Sequence, residues 1–120
     1  MEQSPKDRRM YVRILRNFIV SYHKKNLPAA SHEVSQINNV SRGGINFSSA
    51  RALEKGDLLV LDLKTPFVTD SLRLEGVVLE CKEKVAGLIY EIRLQFQDVP
   101  ARELGVLEKI EKYGTAGSEG

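Results

Sequence analysis

Leu88-Ile89-Tyr90-Glu91-Ile92-Arg93-Leu94-Gln95-Phe96-Gln97 alternates without a break between an apolar set, Leu88, Tyr90, Ile92, Leu94 and Phe96, and a second set made mostly of polar residues. Successive side chains of an extended strand point to opposite faces, so the stretch predicts a strand with one face packed inward and the other largely wet. Immediately downstream the period changes. Pro100 suits the first turn of a helix, Asp98 is placed to serve its N-terminus, and Leu104, Leu107 and Ile110, with Val106 and Tyr113, form an apolar stripe at helical spacing. Gly114 is the expected stop, and 114–120 the expected flexible tail, with nothing to bury.

Upstream, the segments read as strands separated by turns. Asn17 to His23 alternates Phe18, Val20 and Tyr22 with Ile19 and Ser21, and Lys24-Lys25-Asn26-Leu27-Pro28 follows as a polar turn. His32 to Asn38 is a weaker strand, with Val34 and Ile37 among polar residues, and Ile45 and Phe47 begin another. Leu58-Leu59-Val60-Leu61-Asp62-Leu63 is a short apolar run, as expected of a strand covered on nearly both sides. Leu72 to Cys81 is the next strand, and Gly76 inside it predicts a bend or bulge. Strands with short turns and one late helix, without βαβ alternation, predict an all-β-dominated fold: a small antiparallel β-barrel of about six strands with one C-terminal α-helix across an end. Composition alone leaves several small barrels open.

The chain has 120 residues, 42% of them hydrophobic and 28% charged, which fits one soluble globular domain and argues against disorder. No apolar run reaches the length of a membrane span, and Met1 to Asp7 lacks the apolar core of a signal peptide, so no membrane insertion and a cytoplasmic location are expected. The single cysteine, Cys81, has no internal disulfide partner and is expected as a small core residue. The formal net charge of +2 does not by itself announce a nucleic-acid-binding protein. Its distribution is uneven: Lys6, Arg8, Arg9, Arg13 and Arg16 crowd into residues 1–16. Such a run reads as a solvated, flexible basic arm, and equally as an arm that folds over a small polyanion.

Asn39-Val40-Ser41-Arg42-Gly43-Gly44 lies between two of the strands. By itself it reads first as a turn, and second as a place where short polar side chains and adjacent glycines, able to take positive φ, hold a phosphate or a base edge. Taken with Arg9-Met10-Tyr11-Val12-Arg13 it gives two patterns, Arg-x-x-x-Arg and Asn-x-Ser-x-x-Gly. Together they resemble the two-part signature of PilZ domains, the bacterial receptors for cyclic di-GMP, and the likeness runs from about Lys6 to Tyr113 with Asn replacing the commoner Asp.

That resemblance implies a PilZ-like barrel plus helix over 17–113, preceded by a basic arm over 1–16. Arg9 and Arg13 would clasp the ligand, cyclic di-GMP, from the arm. Asn39 and Ser41 would bond guanine edges or a phosphate, and Gly44, with Gly43 beside it, would keep the turn open to a base. Arg8 and Arg42 would assist by charge. Arginine suits these tasks because its planar fork pairs with phosphate and with guanine O6 and N7. The implied mechanism is ordering of the arm on ligand binding, creating a surface read by a protein effector in trans. Two alternatives remain: a PilZ-like adaptor that works without ligand, and a small nucleic-acid-binding barrel using the basic arm on phosphates, although no DNA partner is expected. No catalytic constellation is evident, His23, His32 and Cys81 match no metal-ligand spacing, and neither an enzyme nor a cofactor is expected.

Overall fold

A computed structural model of the chain describes residues 18–34 and 36–119, with only the helical backbone over 113–119. The predicted basic arm, with Arg8, Arg9 and Arg13, lies outside the described residues. Within them the chain forms β1 (Ile19–Lys24), β2 (His32–Glu33), β3 (Gln36–Val40), β4 (Gly44–Ser49), β5 (Leu58–Lys64), β6 (Leu72–Val85), β7 (Ile89–Gln97) and one helix, α1 (Ala101–Glu119). All neighbouring strands pair antiparallel, in the order β2-β1-β5-β6-β7-β4-β3.

The order forces curvature. β2 and β3 are the two edges of the sheet, yet Glu33 and Gln36 are three residues apart in the chain. Laid flat, six inter-strand steps of about 4.8 Å would separate those edges by roughly 29 Å, whereas three Cα steps span at most about 11 Å. The sheet therefore curls until its edges approach, giving a half-barrel. The segment 32–38, predicted as one strand, is divided between both edges, so about six expected strands become seven.

The concave side holds the core. Alternation delivers Phe18, Val20 and Tyr22, then Ile45 and Phe47, then Leu59, Leu61 and Leu63, then Leu72, Leu74 and Val78, and finally Ile92, Leu94 and Phe96. Val60 is buried as well, in keeping with the nearly two-sided cover predicted for β5. Tyr22 brings a hydroxyl into the core and pairs it with Ser49 Oγ at 3.2 Å, so its burial leaves no unmet hydrogen bond. The helix touches β3 and β6 and inserts Val106, Leu107 and Ile110. Fully burying side chains of this kind contributes about 1.5–3 kcal/mol each, which holds the helix on the barrel.

Four local expectations change. α1 continues through Glu119 past Gly114; a glycine costs about 1 kcal/mol in a helix without forbidding it. The buried helical stripe is Glu103, Val106, Leu107 and Ile110, while Leu104 is only half-buried. Gly76 makes no bulge: a Cβ there would lie 2.7 Å from the Gln95 carbonyl oxygen, so it permits close strand approach, and the register shifts of β6 fall between Val78 and Glu80 and between Glu83 and Val85. Cys81 is half-buried at the margin of the core instead of within it. Asp98 adopts a left-handed φ of 51°, turning the chain from β7 toward the helix, whose first bond runs from Leu104 N–H to the Pro100 carbonyl at 2.9 Å.

Candidate functional site

The Asn39–Gly44 segment is the β3–β4 turn. Val40 and Ile45, paired across it and both buried, pin its base to the core. The register slips between Ile37 and Asn39, so Asn38 and Asn39 are both exposed beside a single partner, Asn46. A bulge of this kind turns two consecutive side chains outward where regular pairing would turn one inward. At the tip, Ser41 N–H donates to the Gly44 carbonyl at 2.9 Å, Gly43 N–H donates to Ser41 Oγ at 3.3 Å, and Phe96 N–H donates to the Gly43 carbonyl at 2.9 Å. The turn is thereby tied to the end of β7.

The glycines act differently from expectation. Neither is at positive φ; among the described glycines only Gly56 and Gly87 are. A Cβ on Gly44 would collide with the Leu94 carbonyl oxygen, so Gly44 is required by the packing of β4 on β7. Gly43 is open, its imagined Cβ meeting nothing nearer than Ser41 Oγ at 4.0 Å. Arg42 turns toward α1, with Nε 2.6 Å from Glu111 Oε1 and Nη1 3.9 Å from Glu108 Oε2.

Asn39, Ser41, Gly43 and Gly44 line one open cleft of about 300 Å³, together with Ile45, Leu94 and four further residues, Asn46, Leu79, Arg93 and Gln95. Sequence reasoning missed these four. Arg93 and Gln95 belong to the wet set of the alternating strand, but only the register, Asn46 opposite Arg93 and Gly44 opposite Gln95, brings that set beside the turn. Asn38 Nδ2 donates to Asn46 Oδ1 at 2.9 Å, and Asn46 Nδ2 donates to Glu91 Oε2 at 2.9 Å. That bond from Asn46, helped by Lys84 and Lys82, holds the Glu91 carboxyl below its ordinary range. Arg93 Nη1 donates to Glu80 Oε1 at 3.1 Å.

Chemically the cleft offers neutral amide and hydroxyl groups, an apolar patch at Leu79 and one guanidinium. This set suits a ligand with heterocyclic donor and acceptor edges and an anionic group. Among the described residues, no three His, Cys, Asp or Glu side chains gather to hold a metal ion, and no helix is long and apolar enough to cross a membrane.

The PilZ domain family model matches residues 7–113, and the chain belongs to that family. The fold is shared with the solved structure of Bacillus subtilis Inhibitor of motility (MotI/DgrA), with a TM-score of 0.65 over 82% of this chain at 16% identity. The chain spans 47% of that protein, about half its length. No curated protein sequence matches significantly.

Proposed function

We propose that this PilZ protein is a non-enzymatic, cytoplasmic receptor for cyclic di-GMP that orders its N-terminal arm on the ligand and then signals to a protein effector in trans. The observation that carries this is the convergence of Asn39, Ser41, Gly43 and Gly44 on one cleft in a chain of this family. Asn39 and Ser41 bond guanine edges or a phosphate from the barrel wall. Arg9 and Arg13, with Arg8 assisting, supply the forked donors from the arm, where each good bidentate contact to guanine gives about 1–3 kcal/mol of discrimination. Arg42 acts from the side, its charge shared with Glu108 and Glu111.

Calorimetric titration of cyclic di-GMP into the wild type and Arg9→Ala, with the linear guanine dinucleotide as control, tests the proposal. Saturable binding that prefers the cyclic ligand and is lost in the variant is expected. An unresponsive wild type would leave an adaptor that works without ligand. Amide exchange at Arg8 to Arg16 that is unchanged by bound ligand would refute the ordering step.

A further inference from the structure

Four strands place one row of side chains across the outer face of the sheet. Glu80 of β6 pairs with Arg93 of β7, Arg93 with Asn46 of β4, and Asn46 with Asn39 of β3. With strands about 4.8 Å apart, the Arg93 Cα lies roughly 10 Å from that of Asn39, and both residues line the cleft. The remaining polar side chains of the lining, Ser41, Asn46 and Gln95 with Asn39, are neutral, so Arg93 is the only cation among the described lining residues.

Arg93 is held loosely. Its ion pair with Glu80 is a single contact at 3.1 Å between side chains that are 56% and 44% exposed, and such pairs are weak. Glu80 has a second cation in reach, Lys82 Nζ at 3.9 Å from its other oxygen, so losing Arg93 does not strand it. The remaining guanidinium donors of Arg93 are available to a ligand phosphate, to which charge-assisted bonds are short and strong.

We propose that Arg93 is a phosphate-binding residue of the cleft and that Glu80 sets ligand affinity by competing for it. This rests on the receptor reading above and extends it to a residue outside both motif segments. The role is one of charge, since the neutral lining already supplies groups suited to base edges.

The test is titration of cyclic di-GMP into the full chain and into Arg93→Gln, Arg93→Lys, Glu80→Gln and the double variant Glu80→Gln/Arg93→Gln, each first checked for wild-type thermal unfolding. Arg93→Gln should bind roughly ten- to hundredfold more weakly. Arg93→Lys should recover most of that loss because it keeps the charge. Glu80→Gln should bind roughly two- to fivefold more tightly, and that gain should vanish in the double variant. Wild-type affinity in Arg93→Gln, failure of Arg93→Lys to recover binding, or a Glu80→Gln gain that survives without Arg93 would each overturn the proposal while leaving the receptor reading intact. A wild type that does not bind would overturn both.

Discussion

Replacing Gly44 with alanine should damage the sheet before it damages any ligand contact. The added Cβ would overlap the Leu94 carbonyl oxygen and sit 3.2 Å from the Leu94 carbonyl carbon and 3.3 Å from the Gln95 Cα, all main-chain atoms. No rotamer change relieves a clash with backbone, so β4 and β7 must separate at the Gly44–Gln95 pair. Overpacking of this kind costs about 1–3 kcal/mol. Separation also weakens the bond from Phe96 N–H to the Gly43 carbonyl, which contributes about 1 kcal/mol. A total near 2–4 kcal/mol corresponds to a fall in Tm of about 10 °C or more for a domain of this size. Gly43→Ala is the control: it meets open space at ordinary φ and should stay within about 0.5 kcal/mol of wild type. Urea unfolding of the three proteins, followed by circular dichroism, decides the matter. A Gly44→Ala protein within 1 kcal/mol of wild type, or equal losses in both variants, would refute the packing account.

Further substitutions probe other parts of the molecule. Ile110→Ala, at a fully buried helix position, should cost about 2–5 kcal/mol in denaturant unfolding, and Leu104→Ala, half-buried, clearly less. Arg42→Ala should cost no more than about 1 kcal/mol in the same assay, because its ion pairs with Glu108 and Glu111 are solvent-exposed. Asn46→Ala should raise the titration midpoint of Glu91, followed by carboxyl NMR, toward the ordinary carboxylate range. A depressed folded-state pKa stabilises above the unfolded value, and that stabilisation disappears as pH falls through the folded one, so the stability difference between wild type and Asn46→Ala should narrow in acid.

The fold was largely legible because alternation is a local property. Ile92, Leu94 and Phe96 are buried as the period demands, and Leu59, Leu61 and Leu63 likewise. The helix was legible in existence and in most of its phase, since Val106, Leu107 and Ile110 are buried as the spacing expects; its first turn differs, with Glu103, paired with Arg102 at 3.3 Å, buried and Leu104 half-buried. Leu88, which continues the alternation in sequence, is 64% exposed because the β6–β7 turn claims it. The candidate site was legible only along one stretch of chain. Asn39, Ser41 and Gly43 showed themselves as a turn, but which strand lies beside that turn depends on pairing across nearly fifty residues, and neither Arg93 nor Asn46 carries a local mark of it. Gly44 stands out in the sequence as part of a turn, but the carbonyl crowding from β7 that excludes a Cβ there is invisible without register.

The division of residues 32–40 between the two edges of the sheet ties the cleft to the folding of the whole sheet. The cleft exists only where β3, β4 and β7 are paired, and β3 follows β2 on the opposite edge so closely that both edges can be paired together only in the curled sheet. A ligand of the cleft would therefore bind the folded sheet and not the unfolded chain, and by mass action would stabilise it. At a hundredfold excess over Kd the gain is about 2.7 kcal/mol. A ligand-dependent rise in Tm would thus report occupancy of the cleft and integrity of the curled sheet in one signal, and variants that loosen the β2–β3 crossing should weaken ligand binding without touching a single residue of its lining.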